Sequence, residues 1–316
     1  MSFIQVASWN IEHLSGASRE SKRQSAYALA DHIEMAGVDV IALQEVYVTD
    51  PDEEVRLFEN QPVIESRATT ERRNADLDKV CFLLEEHLND KWAYRIIPNR
   101  NGGDTSQLCA VMWNTARLSQ TGILRLEVKH KVDGDALWDR APHAVTFTSP
   151  LKVWRKDKTG KWEKIKEQKS FTIVPLHMKS NYGGGTKNIR KRKKEAQTLV
   201  DALKIAEGKI DPSLILMGDT NILKYDEPAI DILVNNGFID LNNTDSPTYW
   251  SRQYGDSPFD RAFVAEGRDE FKYSRQYVLR SADLVLHDRF LSDHYMIKMS
   301  VNIYLDDADP REGVTE

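Results

Sequence analysis

The feature that most constrains the fold is a series of short apolar runs spread along the whole chain. Each run is rich in β-branched or aromatic residues and is short for a helix, which is typical of a strand buried in a sheet. The runs cover residues 3–9, 38–44, 108–113, 143–148, 171–177, 213–218, 261–265 and 294–304. The chain is therefore predicted to fold around extensive β-structure.

Helical patterns separate several of these runs and cover residues 20–36, 77–88, 187–207 and 228–236. Each shows apolar positions on one face, and a glycine follows three of the four, which is typical of a helix end. Other strands follow one another directly, which a simple doubly wound parallel sheet would not do. We therefore expect an α/β protein with mixed sheets.

The composition shows no repeat, low-complexity segment or linker that would divide the chain. One catalytic domain is predicted over residues 1–304, followed by an acidic, flexible tail over 305–316. The polar stretch 150–170 is predicted to form a β-hairpin that turns at Thr159-Gly160 inside this domain. Cys81 and Cys109 have no zinc-type spacing and are predicted to be core residues.

Bulk properties exclude several classes of protein. The chain has no apolar run of about 18 residues and no signal-peptide pattern, so we expect a cytoplasmic protein without a membrane anchor. A net charge of −6 argues against a nonspecific nucleic-acid coat. The basic run from Lys187 to Lys194 nevertheless predicts a local basic face. No obligate protein partner is indicated.

Polar side chains cluster where the predicted strands begin or end. They are Asn10, Glu45, His177, Asp219, Asn221, Asp293 and His294. If the strands share a direction, these side chains converge on one rim, and such carboxylates and amides suit a hard, oxygen-binding cation. Mg²⁺ is the predicted ion, because it needs few protein ligands besides phosphate oxygens. Mn²⁺ is an alternative, as is Ca²⁺ in a structural role.

Five motifs in fixed order carry a resemblance to a known family. They are Trp9-Asn10, Leu43-Gln44-Glu45, Gly218-Asp219-Thr220-Asn221, Phe259-Asp260-Arg261 and Ser292-Asp293-His294. Together, over residues 3 to about 303, the chain resembles the endonuclease/exonuclease/phosphatase (deoxyribonuclease-like) superfamily. The resemblance implies a four-layer sandwich in which helices flank two packed mixed β-sheets. It also implies a divalent-metal-dependent phosphoric ester hydrolase.

The resemblance assigns roles to the residues at the metal and the attacking water. Glu45 would be the principal metal ligand, with Asn10 and Asp293 near the same ion. Asp219 and Asn221 would orient the water and the phosphate. A cation on a phosphate oxygen, together with a general base and a general acid, lowers the barrier to attack on an anionic ester.

The resemblance also assigns the remaining catalytic side chains. His177 would protonate the leaving oxygen or stabilise its charge, and His294 would contact the phosphate or act as base. Asp260 would hold the tautomer of His294. Arg140 matches the phosphate-contacting arginine of the family, and its guanidinium can bind two phosphate oxygens.

One position departs from the pattern of the deoxyribonuclease-type relatives. They carry a glutamate that pairs with the histidine matching His177, whereas this chain has Gln107 at the corresponding place. A neutral amide can orient His177 but cannot hold a proton on it by charge. A shift of a few residues in the alignment would bring Asp104 to this place instead.

Each assignment has a structural alternative. A lone carboxylate at a strand end is more often a cap or a surface group, His177 could be a core histidine, and a basic run is usually a solvated helix face. The glycines at 183–185 read as a flexible loop rather than a phosphate loop. No role is assigned to His13, His32, His87, His130, His143 or His287.

The most favoured function is a nuclease, an endonuclease in the first instance, acting on DNA or alternatively RNA. Its predicted substrate contacts are Arg140, Asn181, Lys187, Arg190, Lys191 and Lys194, which could follow a phosphate backbone. The alternative is a phosphatase or phospholipase of the inositol-phosphatase or sphingomyelinase kind. The sequence lacks a clear lipid-facing aromatic hairpin, although Trp154 and Trp162 in the stretch 150–170 could form one. A nonenzymatic binding scaffold would require that the predicted metal-ligating residues had been lost, and they are all present.

Overall fold

A computed structural model describes residues 3–16, 24–99, 107–156 and 159–303. Asp104, the predicted tail 305–316, the first residues of the predicted helix 20–36 and the side chains of Trp154 and Trp162 lie outside the described residues.

The first sheet is mixed and contains six strands in the described part of the chain. In spatial order they are β15 (Tyr277–Leu279), β16 (Met296–Asn302), β1 (Phe3–Leu14), β2 (Val40–Val46), β4 (Leu108–Asn114) and β3 (Trp92–Ile97). Strands β1 and β2 are parallel, and the other neighbours are antiparallel.

The second sheet is also mixed, with six strands among the described residues. In spatial order they are β11 (Phe238–Asp240), β14 (Asp260–Ala265), β10 (Leu214–Asp219), β9 (Trp162–His177), β8 (His143–Lys156) and β5 (Ser119–Arg125). Strands β9 and β10 are parallel, and the other pairs are antiparallel. Two short hairpins stand apart, β6 (Lys131–Val132) with β7 (Asp135–Ala136), and β12 (Tyr249–Ser251) with β13 (Gly255–Ser257).

Helices cover the outer face of each sheet. They are α1 (Ala26–Ala36), α2 (Ala75–Leu88), α3 (Gly185–Ala206), α4 (Pro228–Val234) and α5 (Leu284–Phe290), with a 3-10 turn at Asp269–Phe271. No helix in the ranges given above is long and apolar enough to cross a lipid bilayer.

Alternating side chains of each buried strand explain the layers, because successive residues point to opposite faces. In β1, Val6 packs between the sheets while Trp9 packs on the helix side. In β10, Met217 packs between the sheets while Leu216 packs against α3 and α4. The result is the predicted four-layer sandwich, which is confirmed.

Most predicted elements are present at nearly the expected bounds, and both cysteines are buried as expected. The hairpin predicted at 150–170 is real but longer, since β8 and β9 pair from Val145↔Ile173 to Lys156↔Trp162. The last strand begins at Met296 rather than at residue 294. Strands β3 and β5 were not predicted, because their apolar and polar residues mix without a long apolar run.

The strand register already brings the polar residues of the second sheet together. Asp219 pairs with His177 across the parallel strands β10 and β9, and with Asp260 across the antiparallel strands β10 and β14. In the first sheet, Asn10 pairs with Gln44, one residue before Glu45. Both sheets therefore present polar side chains at the same edge of the sandwich.

Candidate active site

Glu45 reaches the rim through a break in the regular strand. The pairing of β2 with β4 shifts register between Leu43 and Val46, and Glu45 has a φ of 63°. A left-handed backbone is unfavourable for a residue other than glycine, by roughly 1–2 kcal/mol. Because such strain persists only where the surrounding structure imposes it, Glu45 is a candidate functional residue on backbone grounds alone.

Gly218 allows β10 to approach β9 closely just before Asp219. Its φ is +151°, and a Cβ atom there would lie 2.0 Å from the backbone oxygen of Leu176. The close approach continues at the next residues, where the backbone N–H of Met178 donates to the carbonyl of Asp219 at 2.9 Å. Asp219 is thereby fixed beside His177.

The side-chain amide of Asn10 joins the two sheets at the centre of the rim. Its Nδ2 donates to Glu45 Oε1 at 3.3 Å and to Asp219 Oδ2 at 3.1 Å, and lies 3.5 Å from His294 Nε2. Its Oδ1 accepts from the backbone N–H of Glu12 at 3.1 Å. Asn10 therefore links the two carboxylates, and its role as a metal ligand stays a prediction.

His294 and Asp260 form a buried pair. His294 Nδ1 lies 2.8 Å from Asp260 Oδ2, and the Tyr249 ring and the imidazole form a T-shaped contact with centroids 5.0 Å apart. Burial lowers the pKa of His294, but the neighbouring carboxylates, Asp260 first among them, outweigh it and raise the pKa from 6.5 to about 10. His294 is thus held as an imidazolium at neutral pH.

The backbone of His294 is held as firmly as its ring. Its carbonyl oxygen accepts from Trp9 Nε1 at 3.0 Å and lies 3.1 Å from His287 Nε2. Its N–H donates to the Ser292 hydroxyl at 3.0 Å, and that hydroxyl donates to the carbonyl of Asn10 at 2.6 Å. The two ends of the sequence therefore meet at this residue.

Asp219 and His177 are both buried, and burial moves their pKa values in opposite directions. Burial raises the pKa of Asp219 from 3.8 to about 7, with further contributions from neighbouring charges. Burial lowers the pKa of His177 well below its usual value, and the positive charge of Arg140 lowers it further. His177 is therefore neutral, with Nε2 3.8 Å from Glu45 Oε1 and 3.7 Å from Asp219 Oδ2.

The prediction that Gln107 orients His177 is wrong. Gln107 contacts His13 and Arg140 instead, with its Nε2 3.2 Å from His13 Nε2 and its Oε1 accepting from Arg140 Nη2. The Nδ1 of His177 has no hydrogen-bond partner among the described residues. Gln107 thus places Arg140 at the rim rather than orienting His177.

His13 is a rim residue to which the sequence pattern assigned no role. Its Nε2 lies 3.4 Å from Glu45 Oε2, and its Nδ1 lies 3.1 Å from the Tyr47 hydroxyl. In a regular strand His13 would face away from Asn10, since alternate residues point to opposite faces. Left-handed backbone at Glu12 and His13 breaks that alternation and turns the imidazole to the rim.

Asp293 lies beside His294 on the same rim, with Oδ1 4.0 Å from His294 Nε2. Its backbone N–H donates to Glu12 Oε2 at 2.9 Å. The carboxylates of Glu45, Asp219 and Asp293 supply the oxygen donors that a hard divalent cation prefers, so the residues present fit such an ion.

A second possible ion position is less suitable. Ligand atoms of Asp219, Asp260 and His294 lie within 4.8 Å of one another. The Nδ1 of His294 is already bonded to Asp260, and all three side chains are buried. Glu45 retains 14% exposure of its side chain, so a cation that must also reach a substrate is better held there.

Asn221 and Asn181 connect the rim to α3. Asn181 Nδ2 donates to the carbonyl of Asn221 at 2.7 Å, and Arg192 Nη1 donates to Asn181 Oδ1 at 2.9 Å. Arg192 is fully buried and forms a two-pronged ion pair with Glu227 at 2.9 Å. The expectation that Arg192 belongs to a solvated basic face is wrong.

The basic face is also smaller than expected. Lys194 binds Asp133 at 3.2 Å and Asp135 at 3.0 Å, and Arg190 lies 3.3 Å from Asp135. Both side chains are therefore paired with the β6–β7 hairpin, and their role as substrate contacts stays a prediction. Lys187 is exposed and Lys191 half-buried on the same helix.

A two-sheet sandwich with a buried histidine–aspartate pair and a carboxylate rim defines the deoxyribonuclease-like class of phosphoesterases. The model of the Endonuclease/Exonuclease/phosphatase family matches residues 7–294. The chain therefore belongs to the endonuclease/exonuclease/phosphatase family. No curated protein shows significant sequence similarity to it.

Solved structures of this family share the fold. The crystal structure of D. rerio TDP2 humanised by 14 mutations has a TM-score of 0.53 at 14% identity, covering 96% of this chain and 100% of that one. D. rerio TDP2 complexed with a single-strand DNA product has a TM-score of 0.53 at 13% identity, with the same coverage. An endonuclease/exonuclease/phosphatase from Bacteroides vulgatus has a TM-score of 0.54 at 13% identity, again covering 96% and 100%.

Proposed function

We propose that this protein is a Mg²⁺-dependent phosphodiesterase that hydrolyses nucleic acid, acting as a DNA endonuclease. The observation that carries the phosphodiesterase part is the cluster around Asn10. It brings a carboxylate with a raised pKa, Asp219, within 4.0 Å of a histidine with a raised pKa, His294. A proton acceptor and a cation side by side suit attack of water on an anionic ester.

The proposed roles follow from these protonation states. Asp219 accepts the proton of the attacking water, because a pKa of about 7 suits a general base at neutral pH. The His294 imidazolium, held by Asp260, stabilises negative charge on the phosphate. The neutral His177 donates an N–H from Nε2, and Arg140 contacts phosphate oxygens through its guanidinium. A divalent ion held by Glu45 and Asp293 would supply Lewis-acid stabilisation when bound.

A nucleic-acid substrate is supported by the surface next to Asn181. The exposed Lys187 lies in the first turns of α3, while Arg192 of the same helix holds Asn181 at the rim. Tyr182, between Asn181 and this helix, is 92% exposed and can stack on an unpaired base. D. rerio TDP2, which has the same fold, has been crystallised with a single-strand DNA product.

The decisive experiment compares substrates and variants. Purified protein is incubated with supercoiled plasmid, single-stranded DNA, RNA and a small phosphomonoester, each with Mg²⁺ or with chelator. We expect metal-dependent cleavage of DNA that Glu45→Gln abolishes, with the plasmid nicked internally. Activity that persists in chelator would refute the metal-dependent mechanism.

The paired variant Lys187→Gln/Lys191→Gln tests the nucleic-acid surface. We expect weaker DNA binding and a salt dependence flattened by roughly 0.7 to 0.9 log units for each phosphate that is no longer neutralised, while hydrolysis of a small phosphodiester hardly changes. Lys204→Gln, on the last turn of the same helix, is the matched control. Unchanged DNA binding, together with turnover of the small phosphate ester, would favour the phosphatase or phospholipase alternative.

A further inference from the structure

His13 is aimed at the carboxylate that is proposed to hold the metal. Its Nε2 lies 3.4 Å from Glu45 Oε2, and its side chain is 37% exposed, so both an ion and solvent can reach it. Glu45 Oε1 faces the other way, towards Asn10 and His177. The two oxygens of one carboxylate thus face two different histidines.

The neighbours of His13 determine which of its nitrogens carries a proton. Arg140 can only donate, so its contact with Gln107 Oε1 fixes Gln107 Nε2 as a donor towards His13. An N–H aimed at His13 Nε2 requires a lone pair on that nitrogen, and the proton then sits on Nδ1, facing the Tyr47 hydroxyl at 3.1 Å.

This tautomer places the lone pair of His13 Nε2 near the anionic Glu45 Oε2, and two electron-rich atoms facing each other repel unless a cation lies between them. A bound ion would take that lone pair in place of the Gln107 N–H, while Gln107 Oε1 would keep its contact with Arg140. Two ligands about 2.1 Å from one ion lie roughly 3 to 3.5 Å apart. The distance of 3.4 Å between His13 Nε2 and Glu45 Oε2 lies within this range.

The opposite side of the ring is arranged as it is in metal-binding histidines. A ligating imidazole usually donates its other N–H to a fixed acceptor, which sets the tautomer and the orientation of the ring. The Tyr47 hydroxyl takes this place at Nδ1, and the Tyr47 ring stacks on His13 with centroids 5.9 Å apart.

From this geometry we infer that His13 is a nitrogen ligand of the divalent cation bound by Glu45, which makes the site a mixed nitrogen and oxygen centre. The inference rests on the proposed function, since it extends the metal site that the proposal places at Glu45. An imidazole ligand favours transition metals over Mg²⁺. The site should therefore bind Mn²⁺ more tightly than Mg²⁺.

The test measures metal binding directly, without an activity assay. Metal-free protein is titrated with Mn²⁺ and the free ion is followed by electron paramagnetic resonance, while pulsed spectra report ¹⁴N coupling to the bound ion. The variants are His13→Ala and His13→Asn, and asparagine tolerates the left-handed backbone at this position (φ 57°). His87→Ala is the matched control, because His87 also pairs with a glutamate, at 2.9 Å from Glu34, with 33% side-chain exposure.

We expect His13→Ala and His13→Asn to weaken Mn²⁺ binding about tenfold or more, to change Mg²⁺ binding less, and to remove the ¹⁴N coupling. Retention of the coupling and of Mn²⁺ affinity in both variants would overturn the inference, as would a weakening seen only in His87→Ala. The variant Glu45→Gln distinguishes failure of the proposed metal site at Glu45 from failure of the inference that His13 is one of its ligands. If it weakens binding while the His13 variants do not, the metal site stands without His13; if neither matters, both claims fail.

Discussion

The carboxylate of Asp260 bonds to Nδ1 of His294 at 2.8 Å, and both side chains are buried. Its second oxygen, Oδ1, has no hydrogen-bond partner among the described residues. An unneutralised buried carboxylate would be strongly unfavourable, so the proton on His294 stabilises Asp260 as much as Asp260 stabilises the imidazolium. The two residues are therefore one charged unit.

Replacing Asp260 with asparagine removes the negative charge beside His294 but keeps the shape of the side chain. The amide can still accept from Nδ1, but it lacks the charge that raises the pKa of His294 to about 10. We expect the turnover number to fall about 10²-fold or more at neutral pH. The pKa of His294, followed by NMR of the imidazole, should fall as well. Asp256→Asn, at an exposed ion pair with Arg280, should change neither, and full activity in Asp260→Asn would contradict the assignment.

Glu195 should make folding stability depend on pH. Burial raises its pKa from 4.5 to about 7, although its oxygens accept from the backbone N–H groups of Lys179 and Trp138. The folded chain therefore binds this proton more tightly than the unfolded chain does. The resulting stability is complete below pH 4.5 and is lost as the pH rises towards about 7, a change of about 3 kcal/mol.

Urea unfolding across this pH range tests the assignment of Glu195. The variant Glu195→Gln cannot titrate, so its free energy of unfolding should fall less steeply with pH than that of the wild type. Glu207→Gln, an exposed position that follows the same helix, should keep the wild-type slope. Equal slopes in wild type and Glu195→Gln would show that Glu195 is ionised throughout.

Gly218→Ala should be severely destabilising, by about 3 kcal/mol or more. The added methyl group would lie 2.0 Å from a backbone oxygen, which cannot move aside as a flexible side chain would. Gly122→Ala is the matched control within a strand, because its Cβ would meet only Thr146 at 3.5 Å. Thermal unfolding distinguishes them, and a stable Gly218→Ala protein would contradict the close approach of β10 to β9.

Arg192→Gln should destabilise the protein by about 3–5 kcal/mol, since it leaves Glu227 buried without its counter-ion. It should also lower phosphodiesterase activity, because Arg192 holds Asn181 against Asn221. Lys193→Gln, at the next and exposed position, is the control for removal of a positive charge. Denaturant midpoints and turnover are measured for both variants, and similar midpoints would mean that the ion pair is unimportant.

The sequence predicted what depends on local pattern. The apolar runs located the buried strands, and the polar residues at their ends, such as Asn10 and Asp219, do meet at one rim; their catalytic roles stay predictions. His13 was missed because left-handed backbone overrides strand alternation. Arg192 was misplaced because a basic run does not reveal which helix position meets Glu227, 35 residues away. Such contacts depend on tertiary packing, which local periodicity does not contain.

Strand β16 pairs with β1 from Phe3↔Asn302 to Ser8↔Ile297, and His294 just precedes it. During synthesis, the ribosome must add almost three hundred residues before Asn10 can meet His294. A nascent or prematurely terminated chain has an incomplete first sheet and lacks the imidazolium. In the proposed mechanism, hydrolysis therefore requires that nearly the whole domain has been translated.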